Sequence, residues 1–205
     1  MTRIDGDPVP SEALKLAAGQ CDIEDDRLIR PVQVHSACVR KVGTSGRQVD
    51  CDGTVTDRAG LIHSLLTADC IPLFLFHPGT GTTALIHAGW RGLDTGIVEQ
   101  GLKALELPPD QADELLAVLG PAVRSCCYEV REDVAGRFPG QIRREGERMF
   151  LSLQEAMIER LLKAGLRAET IEDESPCSCC HPDDHYSYRY NRTDRRMVSL
   201  MGVLF

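Results

Sequence analysis

The sequence predicts a mixed α/β protein folded as one domain, residues 1–205, and three observations carry that expectation. Short apolar runs, above all Ile71 to Phe76 and Thr82 to His87, have the length of strands and are bounded by turn residues. Other stretches space their apolar residues as an amphipathic helix does: Leu93, Ile97, Leu102 and Leu105 in one, Leu153, Met157, Leu161 and Leu162 in another. No internal repeat, linker or low-complexity block divides the 205 residues, and a chain of that length buries a sizeable core without disulfide staples.

Taken in order, Ser11 to Gly19 reads as a short helix with Ser11 as N-cap and Gly19 as its stop. Leu28 to Val42 reads as a strand, or two broken at Ser36-Ala37, that carries His35. Asp52-Gly53 forms a turn into a short strand, Asp57 to Gly60 a second turn, and Leu61 to Thr67 a strand. Ile71 to Phe76 is continuous enough to be buried on both faces and stops at His77-Pro78-Gly79, after which Thr82 to His87 repeats the pattern. A helix is expected from Gly92 to Leu107, a short one over 110–116, and a strand over Leu116 to Leu119 that ends at Gly120-Pro121. Arg131 to Arg148 has only weak periodicity, Leu151 to Ala164 is a helix closed by Gly165, Arg167 to Ile171 is a short strand, and Met197 to Phe205 is the last one.

The net charge of −8 and pI near 5.2 repel a nucleic-acid backbone or an anionic membrane surface, so neither is an expected partner. Ile71 to Phe76 is too short to span a bilayer, and Met1 to Pro10 is polar and acidic, without the pattern of a secretory leader, which gives a cytoplasmic expectation. Nine cysteines, an odd number with adjacent pairs at Cys126-Cys127 and Cys179-Cys180, suit thiolate ligation or thiol chemistry better than a disulfide framework.

His35, Cys70 and His87 stand at the ends of strand-like runs. Two imidazoles and a thiolate make a three-ligand set for zinc with a fourth position open to water or substrate, which is the pattern of a catalytic site. Positions 35, 70 and 87 match no short metal motif, so three separately buried residues are the competing reading at this point. Cys177-Ser178-Cys179-Cys180-His181, with His185 beyond, could form a second soft-ligand site, but adjacent cysteines seldom ligate one ion comfortably and no partner Cys-x-x-Cys lies elsewhere; thiols lining the pocket are expected, and Cys126-Cys127 is read the same way. His63 and His77 are expected to be structural.

Six words occur in a fixed order: Gln33-Val34-His35, Asp52-Gly53-Thr54-Val55-Thr56, Thr67-Ala68-Asp69-Cys70-Ile71-Pro72, His87-Ala88-Gly89-Trp90-Arg91-Gly92, Gly120-Pro121-Ala122-Val123 with Cys127-Tyr128-Glu129-Val130, and Tyr186-Ser187-Tyr188-Arg189. In these the chain resembles the YfiH/YlmD-like, laccase-domain family from about Gly6 to the C-terminus. The resemblance implies a layered sandwich of mixed sheets with flanking helices. It implies zinc on His35, Cys70 and His87, and a purine nucleoside phosphorylase that also deaminates adenosine, with adenosine, inosine or methylthioadenosine and phosphate as its small-molecule partners. Cys70, Asp69 next to it and Arg91 four residues after His87 are the catalytic candidates, and Arg91, Arg189 and Arg196 the phosphate-binding ones, a structural salt bridge being the competing reading of Arg91.

Asp69 could orient a ligand or act as a general base, Asp52 reads as a turn former first, and Trp90 could stack on a purine or plug the core. Three departures from the family pattern stand out. Tyr190 replaces the second of two arginines and Asp194-Arg195 a Thr-Gly pair, while the family's Arg-x-Gly-Gly-Val-Ser and Asn-Leu-Gly words are not found before Gly6-Asp7-Pro8, which leaves a more open site, an altered substrate or an incorrectly chosen start codon as the expectations. Competing functions are a copper polyphenol oxidase, against which six histidines argue, a metal-free cysteine hydrolase using Cys70 and His87, and a peptidoglycan quality-control factor.

Overall fold

The structure is a computed structural model and describes residues 11–204; Met1 to Pro10, with the polar segment where the family resemblance begins, lies outside the described residues. Helix α1 (Ser11–Gln20) precedes β1 (Leu28–Pro31), β2 (Val39–Lys41), β3 (Gly46–Gln48), β4 (Gly53–Thr56), β5 (Ile62–Thr67), β6 (Ile71–His77) and β7 (Thr82–Ala88). Helices α2 (Trp90–Asp94) and α3 (Ile97–Leu105) lead to β8 (Leu116–Leu119), β9 (Glu129–Val130), α4 (Glu132–Ala135), β10 (Ile142–Glu145) and β11 (Arg148–Leu151). The chain continues through α5 (Leu153–Lys163), β12 (Ile171–Glu172), α6 (Tyr188–Asn191) and β13 (Met197–Met201).

Two mixed sheets form the body. One runs β12-β8-β6-β7-β4-β2, the other β13-β5-β1-β3, and a small antiparallel sheet, β10-β11-β9, stands beside them. Alternation along the strands assigns the faces. Ile71, Leu73 and Leu75 of β6 and Ala84, Ile86 and Ala88 of β7 join Leu93, Ile97, Val98, Met157 and Leu161 in the main core, which packs the six-stranded sheet against α3 and α5. Leu28, Ile62 and Leu66 of the other sheet close over Leu14 and Ala18 of α1. The result is a mixed α/β fold in layers, helix, sheet, sheet, helix.

Between the sheets His63 is fully buried and bonds Thr54 Oγ1 (2.6 Å) and Thr83 Oγ1 (3.1 Å) across the interface. Burial draws its pKa down to about 4, so it is a neutral structural link at physiological pH. His77 is also buried, with Nδ1 bonded to Thr80 Oγ1 at 3.0 Å.

Several elements differ from their sequence expectation. Between Leu28 and Val42 the two strands are short, and His35 lies in the loop joining them rather than on a strand, with φ of +60°. The helix expected from Gly92 to Leu107 is two helices: Thr95 Oγ1 donates to the Arg91 carbonyl at 2.8 Å and Gly96 turns left-handed at φ +89°, which stops α2 and redirects the chain into α3. Leu151 ends β11 instead of opening a helix, because Ser152 Oγ accepts from Glu155 N at 3.2 Å and caps α5 one residue later. The weakly periodic stretch after Arg131 holds α4 and the β10–β11 hairpin, which turns at Gly146 with φ +60°. Residues 168–170 are a 3₁₀ turn before β12, and 109–114 are 3₁₀ as well. Among the described residues no helix is long and apolar enough to cross a membrane.

The tightest joint of the core is Gly101 of α3 against Ile86 of β7, where an added Cβ would overlap Ile86 Cδ1. Gly101→Ala gains about 1 kcal/mol in helix propensity but loses about 1–3 kcal/mol by overpacking a fully buried isoleucine. Urea unfolding is expected to give a net loss of stability; a variant more stable than the parent would show this joint to be loose.

Candidate metal centre

Three chain segments meet at one end of the six-stranded sheet. His87 is the penultimate residue of β7, Cys70 immediately precedes β6 on the neighbouring strand, and the β1–β2 loop brings in His35. The ligand atoms of His35, Cys70 and His87 lie within 4.8 Å of one another, with the two imidazoles edge to face at 4.8 Å between centroids. His87 and Asp52 are buried, Cys70 is partly buried, and His35 reaches the surface, so the group has a dry side and an open one.

Asp52 organises this group. Its carboxylate, fully buried, accepts from the backbone N–H groups of Val34 (3.2 Å), His35 (2.9 Å) and Ser36 (2.7 Å), from Ser36 Oγ (2.8 Å) and from His87 Nδ1 (2.9 Å). Three successive amides wrapped on one carboxylate take the loop out of the β ladder and hold His35 at positive φ, a conformation that costs about 1–3 kcal/mol unless its surroundings impose it. The bond to Nδ1 leaves Nε2 of His87 free for a ligand-binding role. Burial pushes the Asp52 carboxyl up, but His87 and Ser36 more than offset it and hold the pKa below its ordinary value.

Asp69, also at positive φ (+93°), fixes the second segment. Its Oδ1 accepts from Ser178 Oγ at 2.8 Å and its Oδ2 from the Arg189 backbone N–H at 2.6 Å, while its carbonyl accepts from Val123 N at 3.0 Å. With both oxygens so engaged, Asp69 stands as a strap between Cys70 and the C-terminal segments. Close packing completes the cradle: a Cβ at Gly89 would come within 2.9 Å of Cys70 Sγ and 3.4 Å of His35 Cδ2.

Burial opposes ionisation of Cys70, but the charge of His87 and the hydrogen bond from His35 outweigh it and bring the thiol down to about 6. Burial likewise opposes charge on His87, and the Cys70 thiolate with Asp52 outweighs it, raising that imidazole to about 9. A thiolate next to two imidazoles, one aimed by a carboxylate, is a donor set that fits a metal ion, which would displace the imidazolium proton on binding.

Two open clefts adjoin the centre. One, of about 440 Å³, is lined by His35, Ser36, Trp90, Arg91 and Arg137 among others. The second, about 420 Å³, is lined by Trp90, Arg91, Tyr128, Arg131 and Arg189 among others. Arg91 and Trp90 border both, with the guanidinium 4.4 Å from the indole centroid, and Arg189 lies 5.1 Å from the ring of Tyr128. Arg196 lines neither: it donates to the carbonyls of Thr193 and Arg195 in its own loop. Cys126, Cys127, Cys177, Cys179 and Cys180 line neither cleft, contrary to the sequence expectation; their neighbours do approach the site, Tyr128 as a wall of the second cleft and Ser178 through its bond to Asp69. Tyr128 and Ser178 escape sequence reasoning as site residues; the Cys127-Tyr128-Glu129-Val130 word holds the signal for the first, and only the fold brings the second to Asp69.

Comparison with known proteins follows the same outline. A family model described as multi-copper polyphenol oxidoreductase laccase matches residues 7–204. A purine nucleoside phosphorylase of Aquifex aeolicus is 29% identical over 181 residues, covering 88% of this chain and 84% of its own length. One from Streptomyces coelicolor is 34% identical over 198 residues, with coverages of 92% and 80%, and the purine nucleoside phosphorylase YlmD of Geobacillus stearothermophilus is 30% identical over 191 residues, with 83% and 70%. The crystal structure of YlmD from Geobacillus stearothermophilus matches with a TM-score of 0.87 at 26% identity, covering 98% of this chain and 83% of that one. The hypothetical protein YfiH of Bacillus licheniformis matches with a TM-score of 0.84 at the same identity and coverages. With a family model spanning nearly all of it and the fold of YlmD and YfiH, the chain belongs to the laccase-domain, YfiH/YlmD-like family.

Proposed function

We propose that this chain is a zinc-dependent purine nucleoside phosphorylase that also deaminates adenosine at the same centre. The observation that carries the reading is a His₂Cys donor set beside clefts bearing Arg91 and Arg189, in a chain whose relatives are named purine nucleoside phosphorylases.

In phosphorolysis a phosphate oxygen bonds to the anomeric carbon of the ribose as the glycosidic C–N bond breaks and its electron pair leaves with the purine. Arg91 and Arg189 offer planar forks of donors to the phosphate dianion. Trp90, partly buried and stacked by Arg91, gives the base an apolar wall. Burial and the nearby charge of Cys70 raise the pKa of Tyr128, which stays a neutral phenol able to donate a hydrogen bond toward the departing purine. Asp52 and Asp69 act as positioning residues, the first through His35 and His87, the second through Cys70 and Arg189. Zn²⁺ on His35, Cys70 and His87 would supply a Lewis acid with an open fourth position, the chemistry that hydrolytic deamination requires.

Zinc is favoured over the copper of the family description by the remaining imidazoles. His63 and His77 are committed to threonines, and among the described residues no further histidine cluster exists to hold a multinuclear copper site. One geometry favours a second reading: without an ion, Asp52, His87 and Cys70 are arranged as a carboxylate, base and thiol nucleophile, the order used by cysteine hydrolases. Chelation separates the two, since a cysteine hydrolase would remain active and would be silenced by alkylation.

Purified protein incubated with adenosine and phosphate is expected to yield adenine and ribose 1-phosphate, and adenosine alone to yield inosine, both lost on chelation and restored by Zn²⁺. Chromatography that finds no product in either tube sinks the proposal. Arg189→Ala removes a charge-assisted contact of about 1.5–3 kcal/mol, so phosphate-dependent kcat/KM should fall about 10- to 100-fold while inosine formation without phosphate is largely retained; equal losses in both reactions would take Arg189 away from phosphate. Asp52→Asn should weaken Zn²⁺ binding about 10- to 100-fold in competition with a chromophoric chelator, and an unchanged affinity would show that Asp52 does not aim His87.

A further inference from the structure

A second group of soft donors converges away from the centre described above. The Sγ atoms of Cys126, Cys127, Cys177 and Cys180 all lie within 4.8 Å of one another, and Cys180 is 3.5 Å from Cys126 and 3.3 Å from Cys127. The fold brings them together because β8 and β12 run parallel as neighbours and Ala122 bridges to Cys177 just beyond their ends. The turn that carries Cys126-Cys127 therefore lies on the turn that carries Cys177-x-x-Cys180. Arg124 reinforces the same seam, donating from Nε to the Ser175 carbonyl at 2.8 Å and pairing with Asp173.

We propose that Cys126, Cys127, Cys177 and Cys180 form a second metal site, a closed tetrathiolate centre for a single Zn²⁺ with a structural role.

Size argues for one ion. At a Zn–S distance of about 2.3 Å a tetrahedral site sets its sulfurs about 3.8 Å apart, within the spread seen here, whereas an iron–sulfur cluster holds its cysteines around a larger multi-atom core. Local geometry agrees: the Cys-x-x-Cys segment is a turn in which Cys180 N and His181 N both donate to the Cys177 carbonyl, and Arg124 N donates to Cys177 Sγ at 3.5 Å, the kind of contact that disperses charge on a metal-bound thiolate. A disulfide uses the arrangement poorly, since Cys180 is nearly equidistant from two adjacent partners and any single bridge leaves two clustered thiols over. On binding, the four thiols release their protons to solvent and the ion keeps its oxidation state. Four protein ligands leave no open position. The site would fasten Tyr128, which follows Cys127 directly and walls a cleft, and Ser178, which lies inside the Cys-x-x-Cys turn and donates to Asp69.

The test is metal content with zinc-edge X-ray absorption on full-length protein expressed with zinc and kept reduced. A His35→Ala/Cys70→Ala/His87→Ala variant is expected to retain one zinc with four sulfur neighbours at about 2.3 Å. Cys177→Ala/Cys180→Ala should lose one zinc per chain and keep the other, and Cys21→Ala, at an exposed position, should change nothing. In the unaltered protein, titration with a mercurial in the presence of a chromophoric chelator should release this zinc as the four clustered thiols react, a readout that needs no variant to fold. A zinc-free triple variant whose unaltered parent releases no zinc from these thiols overturns the proposal, as does iron at a four-sulfur site, or a disulfide from Cys180 to Cys126 or Cys127 mapped by mass spectrometry. A parent with only one zinc, retained in the triple variant, would instead overturn the catalytic zinc at His35, Cys70 and His87 and leave this proposal standing.

Discussion

The buried carboxylate of Asp52 is the constraint on which the site is built. A charge with no solvent contact would cost several kcal/mol if its oxygens were unpaired, yet Asp52 receives five donors, three from consecutive amides of the β1–β2 loop, one from Ser36 Oγ and one from His87. Each donor also has a consequence elsewhere. The amides fix a loop with no sheet partner, the strained backbone of His35 is held by its neighbours, and the His87 ring is oriented through Nδ1 within the group it forms with Cys70 and His35. Because Gly53 begins β4 and pairs with Ile86 of β7, Asp52 enters the site from the same sheet that carries His87, and the relative position of the two is set by β-sheet register.

Asp69 repeats this logic on the other side with a different reach. Its partners, Ser178 and Arg189, are 109 and 120 residues away in sequence, so the segment that carries Cys70 is tied to the end of the chain. Cys70 is therefore positioned from two directions, by the antiparallel pairing of β6 with β7 and by contacts of the residue before it. A carboxylate adjoining a thiolate invites assignment as a base. Here each oxygen accepts one hydrogen bond, from Ser178 Oγ and from the Arg189 backbone, which supports a positioning role, and the arginine whose backbone it holds is one that borders the cleft.

Strands whose signal is local composition were legible: Ile71 to Phe76 is apolar throughout and Ala84 to Ile86 is the apolar centre of the strand expected from Thr82 to His87, and both are buried over most of their length. Helix α5 was legible for its apolar stripe, and its start was misplaced only because Leu151 suits a strand as well as a helix. The loop at His35 was not, since its conformation is imposed by a carboxylate 17 residues on and not by its own side chains. Asp52 illustrates the same limit: Asp-Gly before a strand is turn chemistry, and nothing local distinguishes an exposed turn aspartate from one at zero exposure with five donors. His35, Cys70 and His87 were recoverable through the family words around them, while their spacing alone was uninformative.

The clustered cysteines show why spacing fails in such cases. Cys126-Cys127 and Cys177-x-x-Cys180 are each half of the four-thiol cluster, and the step that unites them is parallel pairing of two short strands, a tertiary event between segments with unremarkable sequence. Once united, they are not isolated from the end of the sheet that carries Cys70 and His87. Ser178 sits within the thiol turn, its hydroxyl bonds Asp69, and Asp69 precedes Cys70, so one covalent and hydrogen-bonded path joins the four-thiol cluster to the His₂Cys donors. Tyr128 gives a second path from Cys127 into the cleft beneath Arg189. A metal held by the thiols would act on both the Tyr128 wall of the cleft and the Asp69 strap beside Cys70, which would give four cysteines outside the clefts a physical reason to be there.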